Sequence, residues 1–421
     1  MQRTKVASES MKSELTAWKI SQKDTPFPRR EFQERLARLK AAMRSNNLDI
    51  IFLSSPESMY YISGYKNEWY QAQSSTEWPP ASGIAVHVDH PGLILFETEE
   101  EYLLAHYTSI VEDIRGFFED EESGSRMTNW IARELKGEGW LPGRVGLEMW
   151  SYRPNRPVSE AFQKELEKRK CVVVDCSRIV RGLRKVKSPL EIECIEKAAK
   201  IGEIGIRACM ESMKPGVTEL EVWGSMMAAM ACAGGENPSI TLPVSSGPRS
   251  ALLHALATRR KIRKGDLVIT DLCGVYNRYH ANYARTFSVG RPSTAIRKGV
   301  HLAAGAFEVL EDLIEPNLPV ETLIKTMKEY YAKVGIEKRR WWWGGYELGI
   351  AFPPDWVGEF VFDPTVDPRG ERFVPGMVVN YESNFYLPDN AGMAVLIDTM
   401  IFKKSGARIL GSNIPFDVIE V

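Results

Sequence analysis

The stretch Asp271-Leu-Cys-Gly-Val-Tyr-Asn-Arg-Tyr-His-Ala-Asn-Tyr-Ala-Arg-Thr-Phe287 decides the fold of this chain. A short, β-branched apolar run leads into it, which predicts a buried strand. A second run, Tyr279–Val289, follows after a connection around Gly274–Asn277. We therefore expect a β-hairpin in which Asp271 and Asn282 face each other across the two strands.

The composition bounds the class of protein. The chain has 421 residues, enough for two domains, with 54 basic and 55 acidic side chains. A charge balance near zero argues against a nucleic acid or a membrane surface as partner. No apolar run approaches the ~18 residues that span a bilayer. The N-terminal residues lack an apolar core, and the six cysteines show no CxxC spacing, so we expect a cytoplasmic protein without a signal peptide.

The order of apolar patterns predicts three segments. Residues 1–28 are polar and form an N-terminal arm. Residues 29–180 alternate helical and strand patterns, which indicates a small α/β domain. Residues 181–421 open with Ser188-Pro-Leu-Glu191, a capping box with proline in the first turn, which predicts the start of a long helix.

Several motifs resemble those of the pita-bread family, which holds Xaa-Pro aminopeptidases, prolidases and creatinase. They are the hairpin, the helix entry Arg184–Glu191, Pro375-Gly-Met377 and Ser63-Gly-Tyr65. The resemblance extends from about residue 30 to the end of the chain. It implies an α+β fold, in which a C-terminal pita-bread (creatinase/aminopeptidase) domain follows a smaller α/β creatinase-type N-terminal domain.

The same resemblance implies where metal ligands would fall, because the metallopeptidases of the family hold two metal ions with five side chains. The matching positions here are Asp271, Asn282, Tyr346, Glu382, and Leu396 or Ile397. An amide oxygen is a poor bridging ligand, and a phenol and an aliphatic chain do not supply the required donors. We therefore expect the fold to be kept and the metals to be lost, with no other cofactor.

Three residues are the candidate catalytic groups. Asp271 and Glu382 are carboxylates from two predicted hairpins, and His254 precedes Asp266 by twelve residues. In the relatives a histidine near this spacing points into the active site, although a lone histidine is more often structural. Two carboxylates and a histidine suit metal-free hydrolysis of a C–N bond. One carboxylate would act as nucleophile or as base on water, the other would take or relay protons, and His254 would act as acid toward the leaving nitrogen.

A further set of side chains is predicted to bind the substrate. Aromatic faces hold delocalised or quaternary cations, and an arginine pairs with a carboxylate. Functional residues often lie on loops, although the loop Trp69–Trp78 is equally interpreted as a surface loop with aromatic anchors. The predicted substrate-binding residues are His280, Tyr346, Glu347, Tyr65, Trp69, Trp78, Arg249 and Trp343.

The stretches Tyr276–His280 and Gly345–Trp356 resemble the ectoine hydrolases more than creatinase. The leading hypothesis is therefore a metal-independent hydrolase that cleaves a C–N bond in a small zwitterionic nitrogen compound, such as a cyclic amidine or a guanidino acid. The alternatives are a lyase acting on an onium osmolyte such as dimethylsulfoniopropionate, an Xaa-Pro metallopeptidase, and a non-catalytic binding module. The resemblance also implies a homodimer, with the N-terminal domain over the neighbouring active site.

Overall fold

Two compact units make up the chain, residues 1–183 and residues 184–421. The computed structural model describes residues 23–68, 70, 81–117, 127–152, 154–411 and 413–421. Most of the predicted arm and both loop tryptophans, Trp69 and Trp78, lie outside these ranges. Within them, no helix has the length and apolar character needed to cross a membrane.

The first unit is built on one mixed sheet. Its strands are β1 (Ile50–Leu53), β2 (Gly83–His87), β3 (Leu93–Thr98), β4 (Asp113–Phe117), β5 (Arg144–Leu147) and β6 (Val172–Asp175). Its helices are α1 (Arg29–Ser45), α2 (Pro56–Ser63), α3 (Tyr102–Thr108), α4 (Met127–Gly137), α5 (Arg156–Glu167) and α6 (Ser177–Arg184), which ends at the division between the units. The strand order is β4-β3-β2-β1-β5-β6.

The centre of this sheet is apolar because its strands are covered on both faces. All four residues of β1 are buried, and β1 pairs parallel with β5 and antiparallel with β2. After β1, Ser55 caps α2 by accepting a hydrogen bond from the Ser58 amide, and Gly64 ends the helix with a φ of 85°. The capping residue and the left-handed glycine fix the length of this helix.

The second unit carries a larger sheet. Its strands are β7 (Val244–Ser246), β8 (Leu267–Tyr276), β9 (Tyr279–Ser288), β10 (Leu318–Pro319), β11 (Arg340–Tyr346), β12 (Val361–Phe362), β13 (Arg372–Phe373), β14 (Val378–Tyr386), β15 (Met393–Lys403), β16 (Gly406–Ile409) and β17 (Ile419–Glu420). Its helices are α7 (Pro189–Ser212), α8 (Glu219–Cys232), α9 (Thr294–Leu313) and α10 (Val320–Lys333). The main path is β12-β11-β14-β15-β9-β8-β7, with β16 on β15 and β17 on β9.

The hairpin of β8 and β9 is present, but two details differ from the sequence prediction. The turn is the two-residue pair Asn277 and Arg278, whose φ angles of 50° and 61° are those of a tight hairpin turn. Asp271 lies opposite Ala284, while Asn282 lies opposite Cys273, so the two polar residues are diagonal neighbours. The predicted direct pairing is therefore wrong by two residues in register, although the two side chains still share a face and hydrogen-bond to each other.

Gly274 belongs to the strand rather than to the turn. A Cβ atom at this position would lie 2.0 Å from the Ala198 carbonyl oxygen of α7. The glycine therefore allows α7 to pack directly on β8. The predicted capping box of α7 is confirmed, since Ser188 and Glu191 bond to each other's backbone amides.

The two faces of the large sheet have different environments. One face, with Tyr381, Phe385 and Leu396, packs in the core with residues of α9 and α10 such as Phe307 and Leu323. Because side chains alternate along a strand, the neighbouring residues of β14 and β15 point to the other face. That second face, called the site face from here on, carries the polar residues described next.

Candidate active site

Six polar side chains from four strands share the site face. Register fixes their positions, because Cys273 pairs with Asn282 and Gly344 pairs with Glu382. Alternation then brings one set of side chains to the same side of the sheet. They are Asp271 on β8, Asn282 on β9, Tyr346 on β11, and Asn380, Glu382 and Asn384 on β14.

Asn282 connects the first carboxyl group to the middle of the sheet. Its Nδ2 donates to Asp271 Oδ1 at 2.8 Å and to the Leu272 carbonyl oxygen at 3.1 Å. Its Oδ1 accepts from Asn380 Nδ2 at 3.0 Å. Both amide hydrogens and the amide oxygen are therefore engaged, which fixes the orientation of the side chain.

The second carboxyl group is held by two amides. Asn380 Nδ2 donates to Glu382 Oε1 at 2.9 Å, and Asn384 Nδ2 donates to Glu382 Oε2 at 2.8 Å. A continuous chain of side-chain hydrogen bonds thus runs from Asp271 through Asn282 and Asn380 to Glu382. The sequence did not predict Asn380 and Asn384 as site residues, because Glu382 was the only residue of this strand that matched a ligand position of the family.

The two carboxyl groups are buried and hold their protons more tightly than free side chains. Asp271 is 7% exposed and Glu382 is 5% exposed. Burial raises the pKa of Asp271 to about 6, against the opposing effect of the Asn282 hydrogen bond. Burial and repulsion by Asp271 raise the pKa of Glu382 to about 8. Both shifts follow from the cost of placing charge in a site with little water.

Tyr346 lies at the end of β11 beside Glu382. Its backbone amide donates to Asn380 Oδ1 at 2.7 Å, and its hydroxyl lies close enough to the Glu382 carboxyl group to lower the pKa of Glu382. Its Oη also accepts from Trp356 Nε1 at 3.0 Å. Trp356 was not predicted as a site residue, because it lies in a loop whose contacts are not local in sequence.

The structure decides between the two candidates for the fifth position. Ile397 pairs with Glu382 and with Ala284, so it lies on the site face between them. It belongs to a small apolar cluster with Leu253, Ile269, Ala284, Met393 and Val395. Leu396 points into the helix-covered core. Asp398 points the same way and forms an ion pair with Arg285, 2.8 Å between Nη2 and Oδ2.

His254 and Arg249 contact groups other than the two carboxyl groups. His254 is exposed, and its ring contacts the edge of Trp341 with 5.3 Å between centroids. In the described residues it forms no hydrogen bond with Asp271 or Glu382. Arg249 forms an ion pair with Glu219 at 3.4 Å and donates to the Leu256 carbonyl oxygen at 2.6 Å. The structure therefore does not bring these two predicted residues into the hydrogen-bonded centre.

His280 is held as a neutral, hydrogen-bonded ring. Its Nδ1 lies 3.0 Å from the Arg278 carbonyl oxygen, and Nε2 lies 2.9 Å from Ser239 Oγ. Nδ1 therefore carries the proton, and Nε2 accepts hydrogen bonds from Ser239. Burial and the nearby Arg278 charge lower the pKa of His280 to about 3. The ring centroid is 6.2 Å from that of Trp356, so His280 supports the wall behind Tyr346.

The other predicted binding residues have partners of their own. Glu347 is buried and accepts from Lys187 Nζ at 2.5 Å. Trp343 is 1% exposed and packs in the core cluster, next to Tyr331. Tyr65, in the first unit, is 2% exposed and donates to Glu97 Oε2 at 2.8 Å. Their side chains therefore point away from the site face or belong to the separate first unit.

Comparisons with known proteins agree with this architecture. The family model for metallopeptidase family M24 matches residues 193–404, and the model for the creatinase/prolidase N-terminal domain matches residues 35–186. This chain belongs to metallopeptidase family M24. The predicted fold class, a pita-bread domain preceded by a creatinase-type N-terminal domain, is confirmed.

Individual relatives cover nearly the whole chain. The chain is 27% identical over 378 residues to the Xaa-Pro dipeptidase of Pyrococcus furiosus, across 90% of this chain and 97% of that protein. It is 26% identical over 411 residues to the ectoine hydrolase of Halomonas elongata, across 91% and 96%. The prolidase structure from Pyrococcus horikoshii OT3 matches with a TM-score of 0.72 at 24% identity, across 90% and 98%, which shows a shared fold.

These comparisons correct the function predicted from the sequence. The leading hypothesis, a metal-independent hydrolase of a small zwitterionic nitrogen compound, is wrong, because Xaa-Pro dipeptidases of two Pyrococcus species each match 90% of the chain. Prolidase structures match the fold as well. The predicted substrate rested on the resemblance of Tyr276–His280 and Gly345–Trp356 to ectoine hydrolases and on the missing metal ligands. Ligand loss bears on the reaction chemistry, whereas the substrate is selected by the surrounding pocket.

The metal centre that the family implies does not fit the side chains present. The side-chain amide of Asn282 is already engaged in hydrogen bonds, Tyr346 has a phenol, and Ile397 has no atom that can bind a metal ion. Among the described residues, no group of three histidine, cysteine, aspartate or glutamate side chains is placed to hold a metal ion. Hard divalent cations need several oxygen or imidazole donors. The chemistry proposed for this site therefore uses the chain's own side chains.

Proposed function

We propose that this chain hydrolyses the amide bond of a small dipeptide of the Xaa-Pro class, with Asp271 and Glu382 as its acid–base pair. One observation carries the proposal. Two buried carboxyl groups from different strands meet on the site face and are linked only by neutral amides. In the described part of the chain, neither forms an ion pair with a lysine, arginine or histidine. Buried carboxyl groups without a countercharge are typical of functional sites.

The pair supplies the two proton transfers that amide hydrolysis requires. One carboxylate accepts a proton from water as the water oxygen attacks the carbonyl carbon. The carbonyl π electrons move to the carbonyl oxygen, which forms a tetrahedral intermediate. When the intermediate collapses, the C–N bond breaks, and the other carboxyl group donates a proton to the leaving nitrogen. The products are two amino acids, and no oxidant or reductant is consumed.

The surroundings of the pair support an assignment of roles. The two asparagine hydrogen bonds to Glu382 lower its pKa, but burial and repulsion by Asp271 outweigh them, whereas the pKa of Asp271 is raised less. The lower pKa of Asp271 favours its ionised form, and the higher pKa of Glu382 favours its protonated form near neutral pH. Asp271 is therefore the proposed base and Glu382 the proposed acid.

The apolar cluster around Ile397 supports this chemistry from one side. Its members Leu253, Ile269, Met393 and Val395 are almost completely buried, so they keep water from that flank of the pair. A low local dielectric strengthens the interactions of a developing charge with nearby donors. An isoleucine at a ligand position thus contributes an apolar wall.

A dipeptide panel tests the proposal. Purified protein is incubated with Ala-Pro, Leu-Pro and Phe-Pro, and with Ala-Ala, Leu-Ala and Phe-Ala as controls, and free amino acids are quantified. We expect release of proline, and a decrease of at least about 100-fold in the Asp271→Asn variant. Absence of hydrolysis by folded wild-type protein would contradict the proposal and favour a non-catalytic binding role.

Assembly and location remain proposals of the same kind. We propose a homodimer in the cytoplasm, on the strength of the resemblance to the family and the balanced charge of 54 basic and 55 acidic residues. Sedimentation equilibrium tests the assembly directly. A species of twice the 47.6 kDa chain mass is expected, and a monomer at micromolar concentration contradicts it.

A further inference from the structure

We propose that Tyr346 donates its hydroxyl hydrogen to the carbonyl oxygen of the scissile bond, and that Trp356 is the positioning residue that directs it there. This inference rests on the proposed amide hydrolysis. It assigns to a phenol and an indole the stabilisation of the oxygen that becomes negative in the tetrahedral intermediate. Preorganised donors at that oxygen are a large source of rate enhancement in acyl transfer.

The position of Tyr346 is fixed at its backbone. Its amide donates at 2.7 Å to Asn380 Oδ1, and Asn380 Nδ2 donates to Asn282 and Glu382. Asn380, which links the two carboxyl groups through Asn282, therefore also holds the backbone of Tyr346. Tyr346 keeps part of its surface exposed, while both carboxyl groups are buried. Tyr346 is the only one of the six side chains of the centre whose residue is not fully buried, so we place the entering substrate on its side.

The indole of Trp356 sets the direction of the Tyr346 hydroxyl hydrogen. Indole nitrogen is only a donor, and its N–H reaches Tyr346 Oη at 3.0 Å. One lone pair of the phenol oxygen is therefore occupied. The hydroxyl hydrogen therefore points away from the indole, and we place the substrate carbonyl oxygen there, on the side of the Glu382 carboxyl group. A hydroxyl that already accepts a hydrogen bond is also a stronger donor, because hydrogen bonds in a chain polarise one another.

The loop that carries Trp356 is held by the hairpin turn. Arg278 donates through Nη2 and Nε to the Ala351 carbonyl oxygen, at 2.8 Å and 3.1 Å. The His280 amide donates to the Gly349 carbonyl oxygen at 3.1 Å. Trp356 itself is 4% exposed. The indole is therefore part of a rigid wall, which is what a positioning residue requires.

Two uncleavable ligands separate this role from simple packing. A ketomethylene analogue of the dipeptide keeps a trigonal carbonyl and resembles the ground state. A difluoroketone analogue hydrates to a tetrahedral gem-diol and resembles the intermediate. Removing a group that acts in the transition state weakens binding of the difluoroketone hydrate more than binding of the ketomethylene analogue. The measured quantity is the ratio of the two dissociation constants, obtained by calorimetry.

The expected outcome is a change in that ratio. In Tyr346→Phe, affinity for the gem-diol should fall by about 100-fold, while affinity for the ketomethylene ligand changes by less than about 3-fold. Trp356→Phe should lower the preference for the gem-diol over the ketomethylene ligand by a smaller factor, about 5-fold. Trp342→Phe is the matched control. Its indole donates to Asp363 Oδ2 at 3.2 Å while its ring lies 6.5 Å from that of Tyr346, so the ratio should not change.

An unchanged ratio in Tyr346→Phe overturns the inference while leaving amide hydrolysis intact. Failure of wild-type protein to bind either ligand or to cleave Xaa-Pro dipeptides overturns the proposed function itself. If Tyr346→Phe does not fold, 3-fluorotyrosine at position 346 replaces it, because that residue keeps the shape and is a stronger hydrogen-bond donor. Preference for the gem-diol should then rise, and an unchanged preference overturns the inference.

Discussion

Asp398 and Glu382 are buried carboxyl groups on the adjacent strands β15 and β14, yet their surroundings are opposite. Asp398 points to the helix-covered face and meets the Arg285 guanidinium at 2.8 Å, with neither side chain exposed. Glu382 points to the site face, where its neighbours among the described residues are two amides and a phenol and include no cation. The fold supplies a countercharge where the carboxylate is structural. At Glu382 it supplies no countercharge, so the free-energy cost of burying the carboxylate is not offset. This carboxyl group lies on the site face, where the proposed chemistry takes place.

The largest effect is expected on the structural side. Asp398→Asn leaves the Arg285 charge buried without a partner, which costs about 3–5 kcal/mol of unfolding free energy. Urea unfolding measures the loss. The double variant Arg285→Met with Asp398→Leu is the control, and it should recover most of that stability because no charge remains buried. If Asp398→Asn lowers the unfolding free energy by less than about 1 kcal/mol, the contrast between Asp398 and Glu382 is wrong.

The next effect is expected on the site face, in rate and not in stability. Glu382→Gln should lower kcat/KM for an Xaa-Pro dipeptide by at least about 100-fold, or about 2.7 kcal/mol. The folded-state pKa is raised, so Glu382 stabilises the fold only at low pH, and this contribution is lost as pH rises toward about 8. Glutamine carries no charge to bury, so at pH 8 the variant should be at least as stable as wild type. A near-normal rate, or a loss of stability as large as in Asp398→Asn, contradicts the account.

A smaller effect concerns a third buried titratable group. The pKa of His280 is lowered to about 3, so the folded protein keeps the ring neutral while the unfolded chain protonates it below pH ~6.5. Its contribution to stability is complete above that pH and is lost as pH falls. We expect a loss of about 2 kcal/mol between pH 7 and pH 5 that is absent in His280→Asn. Equal pH slopes in the two proteins would show that the ring does not stay neutral.

The sequence contained the information for the hairpin, for the α7 cap and for two of the acidic residues. The β-branched apolar run of β8 was a local signal, and capping boxes act over four residues. These features depend on neighbours in sequence, so they were predictable. The diagonal position of Asn282 relative to Asp271 was not, because it depends on the strand pairing register.

The rest of the site depends on contacts between distant segments. Asn380 and Asn384 become part of the centre only when β14 lies two strands from β9, and Trp356 reaches Tyr346 through a loop. Trp343 faces the core because the pairing of β11 with β14 shifts between Arg340 and Trp342. No periodic pattern in one segment encodes such an irregularity. The substrate class likewise depends on such contacts, and neither the lost metal ligands nor the resemblance of two short stretches to ectoine hydrolases determined it.

The pH dependence of kcat/KM tests the central claim, that Asp271 and Glu382 act as base and acid, most directly. The substrate is an α-hydroxyacyl-proline, which lacks the amino group that would otherwise titrate near pH ~8. The rate should rise through about 6, as Asp271 ionises, and fall through about 8, as Glu382 loses its proton. These limits describe the coupled pair. A profile that stays flat from about pH 5 to about pH 9, or one unchanged in Asp271→Asn, would contradict the account.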